Sequence, residues 1–383
     1  MNGGSEIGKE RYAMRKISSL LKTLAVLTWA AFPNAGIAQS PDWQKTWDET
    51  LAAAKKEGKV VVMGSPDPVM RNQIVPAFSA RYGIPIEYIA GQSGPLAERV
   101  RIERDSGIYS VDVFMSGVGT TFNTLLPLKM LDPIKPILLL PEVTDGSKWK
   151  FGKPYFMDAE EKNVLMLFRS RDSLLFINAD HVKPEEMKSA TDLLNPKWKG
   201  KIETQDPLGS GSGGDTAVHF YTQMGPEFVK KLYIDQAPVR LQDRRQLMDR
   251  LARGANPICL TCKFETASDL QKEGFNIREI FDLAGMKNRV TSSPFVLSMA
   301  NKAAHPNAAR IFVNWVATRE VLEIYSRENG TATLRTDVDE SFLNPEIIPK
   351  TGVEYFESTD LEWMMTGRPA VTEKMRALLK GNR

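Results

Sequence analysis

Two cysteines and three histidines in 383 residues are too few for a disulfide-dense scaffold or a histidine-rich metal centre. The chain also lacks a GxxxxGK[ST] phosphate loop, a GxSxG nucleophile elbow and an HExxH helix. Nothing therefore marks a nucleophile or a zinc hydrolase. No charge of one sign prevails: the formal net charge is +3. Five basic and two acidic side chains fall within residues 1–38, so the rest of the chain is balanced. A neutral body gives no electrostatic support for nucleic acid or a membrane surface as partner. No apolar run reaches the ~20 residues that span a bilayer. What remains is ordinary globular composition, 42% apolar and 25% charged, at a length that suits two domains.

The N-terminal segment reads as an address. Arg15 and Lys16 precede a mostly apolar stretch, Leu20 to Phe32, which Pro33 and Asn34 break. Gly36-Ile37-Ala38 then offers small residues to a signal peptidase. Basic, apolar and small-residue parts in that order are a secretory signal, with Met1 or Met14 as its start. Residues 1–38 are expected to be a signal peptide cleaved near Ala38, giving a periplasmic product without a membrane anchor. No cysteine stands at the cleavage site to carry a lipid.

After it, helix, strand and loop alternate. Trp43–Lys56 has helical spacing of Trp43, Trp47, Leu51 and Ala54, and Gly58 ends it. Short apolar strands are expected at 59–63, 84–89 and 111–115, with helices at 69–82 and 96–106 between them. Pro76 weakens the first of these helices. The pattern is that of an α/β domain with a parallel sheet. Ligands in such sheets sit beyond the carboxyl ends of the strands, which places three Ser/Gly loops in view: Ser65, then Gly91–Gly94 with Ser93, then Ser116, Gly117 and Thr120. A second series follows: strands within 161–178, helical signals at 184–194, a helix at 215–224 closed by Gly225-Pro226, and a helix at 227–233. Strand 238–241, helix 243–253 and strand 257–261 complete it. A strand within 293–300 and a helix at 306–318 come last.

Gly209-x-Gly211-x-x-Gly214 matches a dinucleotide fingerprint. Its acidic companion, Asp235, falls just after a helix instead of at a strand end, so the loop suits a generic anion cradle at a helix N-terminus better. Ser210, Gly211, Ser212 and Gly213 are its candidate contacts, and no cofactor is implied. Arg245, in the Arg244-Arg245 pair after the strand, could grip a carboxylate or phosphate with two parallel hydrogen bonds. His305 stands at a helix start, where capping is expected, and His219 inside a helix, where packing is. Cys259-Leu260-Thr261-Cys262 has no second ligand pair for zinc. A redox dithiol would normally start a helix, whereas this pair ends a strand, so a small structural disulfide or two quiet thiols are favoured over a redox role.

Several strings resemble the family 1 extracellular solute-binding proteins. They include Val60-Val61-Val62 with Gly64-Ser65, Asp112-Val113-Phe114-Met115-Ser116-Gly117, Asn195-Pro196-Lys197-Trp198-Lys199-Gly200-Lys201-Ile202 and His305-Pro306-Asn307-Ala308-Ala309. The likeness runs from about Trp43 to Asp339, within the branch holding receptors for ferric iron, thiamine, aminoethylphosphonate and sugar phosphates. It implies a two-lobed, type II periplasmic-binding-protein-like α/β fold with a hinge and a cleft. It implies lobe one from 41–176 and 291–383, and lobe two from 177–290. It implies a monomeric, non-catalytic receptor that closes on a small-molecule solute and docks on an ABC permease in the inner membrane. Iron receptors of this type carry adjacent tyrosines. Here Tyr325-Ser326-Arg327 stands in their place and no Tyr-Tyr pair occurs. An organic phosphate, phosphonate or carboxylate is therefore favoured over ferric iron, which prefers hard anionic oxygens. The alternatives are an iron receptor of the same fold and an exported hydrolase using the Gly209–Gly214 loop as an oxyanion site.

Overall fold

The computed structural model describes residues 42–209, 211–262 and 264–380. Residues 1–38, the expected signal peptide, and Ser210 lie outside them. No helix among the described residues is long and apolar enough to cross a membrane.

The first helix, Asp42–Glu57, buries Trp47, Thr50 and Ala54. Strand Val60–Gly64 follows and is buried along its whole length, as its unbroken apolar run requires. It pairs in parallel with Ile86–Ala90 on one side and Val113–Ser116 on the other. Pro76 does not break the intervening helix. It lies within an unbroken helical run, just after a wide turn, Met70–Ile74, that opens the hydrogen-bond ladder where its N–H is missing.

The sheet is mixed, not purely parallel. Strand Val296–Ala300 returns from far along the chain and lies antiparallel to Val113–Ser116 and to Leu165–Met166. Strand Tyr155–Phe156 closes that edge. Local pattern predicts the parallel half, because each strand there is followed by its own helix. The antiparallel half depends on a chain return that leaves no local trace.

A second sheet is ordered Val239–Arg240, Ile202–Thr204, Ile258–Cys259, Leu175–Asn178 and Ile277–Ile280. A small third sheet joins Ser170–Arg171, Arg289–Thr291 and Phe356–Glu357, at the points where the chain passes between the two larger ones. Each large sheet has its own core. Val60, Val113, Val296, Phe312 and Trp315 belong to the first. Leu175, Trp198, Ile202, Phe220 and Leu232 belong to the second. These are the two lobes of the α/β fold.

The two most distinctive strings have physical roles. The Asn195 carboxamide accepts from the Lys197 N–H at 3.1 Å, Trp198 is buried in the second core, and Gly200 supplies a φ of 71°. His305 opens helix Pro306–Val316; its N–H donates to Asp112 at 2.9 Å and its ring Nδ1 lies 2.8 Å from the same carboxylate. Asp112 also accepts from the Val61 N–H. Glu57 takes the N–H groups of Asn307 and Ala308. The helix start is thus capped by two acids from other elements, satisfying donors that its own turn leaves open.

The C-terminal helix, Arg368–Lys380, lays Met375 and Leu379 in the second core, although the sequence expectation assigned 291–383 to lobe one as a whole.

Candidate functional site

The three parallel strands of lobe one end together. Gly64 is level with Ala90 and with Met115, so the loops that follow share one edge of the sheet. Ser65 is exposed there, and the Tyr88 hydroxyl donates to its carbonyl. A side chain at position 64 would lie 2.6 Å from that hydroxyl and 3.0 Å from the Met115 carbonyl, which is why glycine stands there. Burial pushes the Tyr88 phenol far up, so it stays a donor. Ser93 opens helix Ser93–Asp105. Gly117 precedes the first turn after the third strand, and Gly117 and Thr120 are half-buried. Ser116 differs: it is buried, and its hydroxyl lies 2.8 Å from that of Thr121. Its hydrogen-bonding capacity is used inside the loop.

In lobe two the glycine loop leads into helix Ser212–Lys230, which breaks at Gly225 (φ 84°) just before Pro226. Gly211 takes a φ of 97°. Gly213 and Gly214 are buried, and a Cβ on either would come within 2.3 Å of a carbonyl, Asp206 for the first and Gly209 for the second. The glycines of this loop thus let the strand–helix turn fold back on itself. Ser212 remains partly exposed at the turn.

Three arginines meet this first turn. Arg244 donates to the Ser212 hydroxyl at 3.0 Å. Arg368 donates to Asp215 at 2.5 Å. Arg289 holds Asp172 at 2.5 Å and reaches the Thr216 hydroxyl at 3.4 Å. Arg245 is exposed, and its backbone N–H completes the cap made by Asp243 on helix Arg244–Ala252. Sequence reading singled out the pair but not the member that reaches the loop. Arg289 and Arg368 carried no local signal at all. The Arg368 guanidinium also lies 3.8 Å from where a Cβ on Gly119 would be. One side chain thereby touches the third loop of lobe one and the first turn of the lobe-two helix.

Other candidates fall away from this place. His219 is buried with neither ring nitrogen hydrogen-bonded, and burial, aided by Arg289, pushes it down to about 3. It packs on Phe356 at 5.1 Å between ring centroids. Tyr325 is fully buried in the first core. Cys259 and Cys262 are joined as a disulfide.

Two lobes, each presenting strand-end loops, with the sheets joined by returning strands, define a binding-protein fold. Residues 59–330 match the family of bacterial extracellular solute-binding proteins, and the chain belongs to that family, as the solute-binding component of an ABC importer. Solved structures agree on the fold. One is the periplasmic binding protein P5PA, with 16% identity over 85% of this chain and all of that one, at a TM-score of 0.62. Another is iron-bound HitA from Pseudomonas aeruginosa, with 16% identity over 83% and 99%, at 0.64. A third is AfuA from Actinobacillus pleuropneumoniae with fructose-6-phosphate bound, with 16% identity over 84% and 99%, at 0.64. No curated protein sequence matches the chain.

Proposed function

We propose that the chain binds a small anionic solute, an organic phosphate, phosphonate or carboxylate, between its two lobes and does not turn it over. The observation that carries this reading is the convergence of Arg244, Arg289 and Arg368 on the first turn of helix Ser212–Lys230. A helix N-terminus favours negative charge, and guanidinium groups grip phosphate or carboxylate with parallel hydrogen bonds. Lobe one would add donors from the loops at Ser65, Ser93 and Gly117–Thr120. On this reading the lobe boundaries are 41–176 and 291 onward against 177–290, with helix Arg368–Lys380 docked on lobe two. Residues 1–38 are removed near Ala38, and the released monomer delivers its solute to the permease.

The ferric-iron reading is the weaker one because Tyr325 is sealed from any cleft. A hydrolase would need a general base beside the glycine loop, and His219 is sealed inside the lobe, where burial makes it a poor proton acceptor.

A thermal-shift screen against phosphorylated and carboxylated metabolites, with ferric citrate alongside, tests the proposal. A ligand at 100 times its dissociation constant stabilises by about 2.7 kcal/mol. Stabilisation by one class of organic anion, with no product formed, is the expected result. Stabilisation by ferric citrate alone would reinstate the metal, and turnover of a hit would make the protein an enzyme.

A further inference from the structure

We propose that the Cys259–Cys262 bond is a thiol–disulfide exchange site in which Glu203 passes a proton to the departing Cys259 sulfur. Strands Ile202–Thr204 and Ile258–Cys259 are parallel neighbours, and Cys259 is in register with Glu203. A Glu203 carboxylate oxygen and the two sulfurs lie within 4.8 Å of one another. Glu203 is fully buried, and its carboxyl is met by the Arg250 guanidinium at 3.5 Å without a closer hydrogen bond. A buried carboxyl held by a single long ion pair costs stability and adds nothing to a purely structural crosslink.

The neighbours leave it poised. Val239 stands opposite on the other flanking strand. Arg250, from helix Arg244–Ala252, is the charged group facing it, at 3.5 Å, and the same guanidinium is engaged by Asn256 at 3.1 Å. Burial, opposed by Arg250, pushes Glu203 up to about 8, so at neutral pH the carboxyl keeps its proton.

The two sulfurs are not equivalent. Cys259 is sealed, whereas Cys262 is 7% exposed and borders a crevice lined also by Arg171, Asp172, Glu279 and Thr331. An external dithiol attacks as its thiolate at Cys262. The Cys259–Cys262 bond breaks, a mixed disulfide forms at Cys262, and Cys259 leaves as a thiolate. Glu203 protonates that thiolate and becomes a carboxylate beside Arg250. The second thiol of the reductant loses its proton to solvent and attacks the mixed disulfide. Cys262 leaves and takes a proton from water, and Glu203 recovers its own from solvent. The reductant ends as a disulfide and the protein gains two thiols.

The test treats the native protein with dithiothreitol across pH 6–10 (roughly the range over which the reductant thiolate and Glu203 titrate). Free thiols are trapped by alkylation, and the rate is divided by the reductant thiolate concentration. The expected wild-type rate falls as pH rises through the ionisation of Glu203. Glu203→Gln should be about tenfold slower or more at neutral pH, with a flat profile. Arg250→Gln should move the inflection to higher pH. Reduction only under unfolding conditions, or a flat wild-type profile, would overturn the proposal. Because the wild-type and Arg250→Gln profiles decide the matter, a Glu203→Gln protein that fails to fold leaves the test intact.

Discussion

Arg244 and Arg245 are neighbours in sequence, yet on the proposed reading only one of them meets the solute. Both are exposed and both occupy the first turn of the same helix. A step of one residue rotates the side chain by about 100° around the helix axis, and only Arg244 is turned toward Ser212. Arg244→Ala is expected to weaken anion binding by about tenfold, the worth of one charge-assisted hydrogen bond. Arg245→Ala should leave affinity unchanged, and titration calorimetry on both variants compares them directly. Equal losses would mean that long-range charge, not contact, holds the solute. Arg368 makes a complementary point. Its partner Asp215 is 153 positions away, so no spacing rule could have joined them, whereas Ser65 and Gly117 were legible because each directly follows an apolar strand.

The turn from Ile202–Thr204 into helix Ser212–Lys230 separates what a motif says from what it requires. The fingerprint spacing was visible in sequence, and the glycine loop does open a helix. Its glycines nevertheless answer a packing demand: Gly213 and Gly214 face carbonyls too close for any Cβ. Gly213→Ala should therefore destabilise the protein by about 1–3 kcal/mol, the usual cost of overpacking a closed site. Chemical denaturation would show this as a lower midpoint with an unchanged slope. Gly209→Ala is the control, since its Cβ would meet the Asp206 carbonyl only at 3.2 Å. Similar stability in both variants would mean that the turn opens readily, and then its backbone N–H groups are not held ready for an anion. Helix and strand positions were readable to within a few residues wherever apolar spacing was regular, as in Asp42–Glu57 and Pro306–Val316. The mixed sheet was not, because strand Val296–Ala300 reaches its partner Val113–Ser116 across the whole of the second lobe.

At the scale of the molecule, the C-terminal segment is the element that belongs to neither half alone. Trp363 packs against both hydrophobic cores. The turn containing it, Trp363–Gly367, allows no side chain at its end, because a Cβ on Gly367 would lie 2.5 Å from the indole. Directly after it, Arg368 joins Asp215 while lying beside Gly119, and the following helix fills the second core with Met375 and Leu379. Lobed receptors work by closing on their ligand, and a segment anchored in both cores restricts how far they open. Trp363→Ala removes the shared anchor but leaves the helix and Arg368 in place. Because the indole is only partly buried, the variant should lose about 2–3 kcal/mol of stability, less than a sealed tryptophan would cost. Small-angle scattering of the solute-free variant should give a larger radius of gyration than the wild type. Affinity should fall, since more of the population starts from open forms and closure must be paid for from binding energy. The two readouts separate a tie from a mere packing residue. Lost stability with an unchanged radius and unchanged affinity would show that Trp363 only fills space between the cores. A larger radius with weaker binding would show that this segment sets the balance between the open and closed receptor.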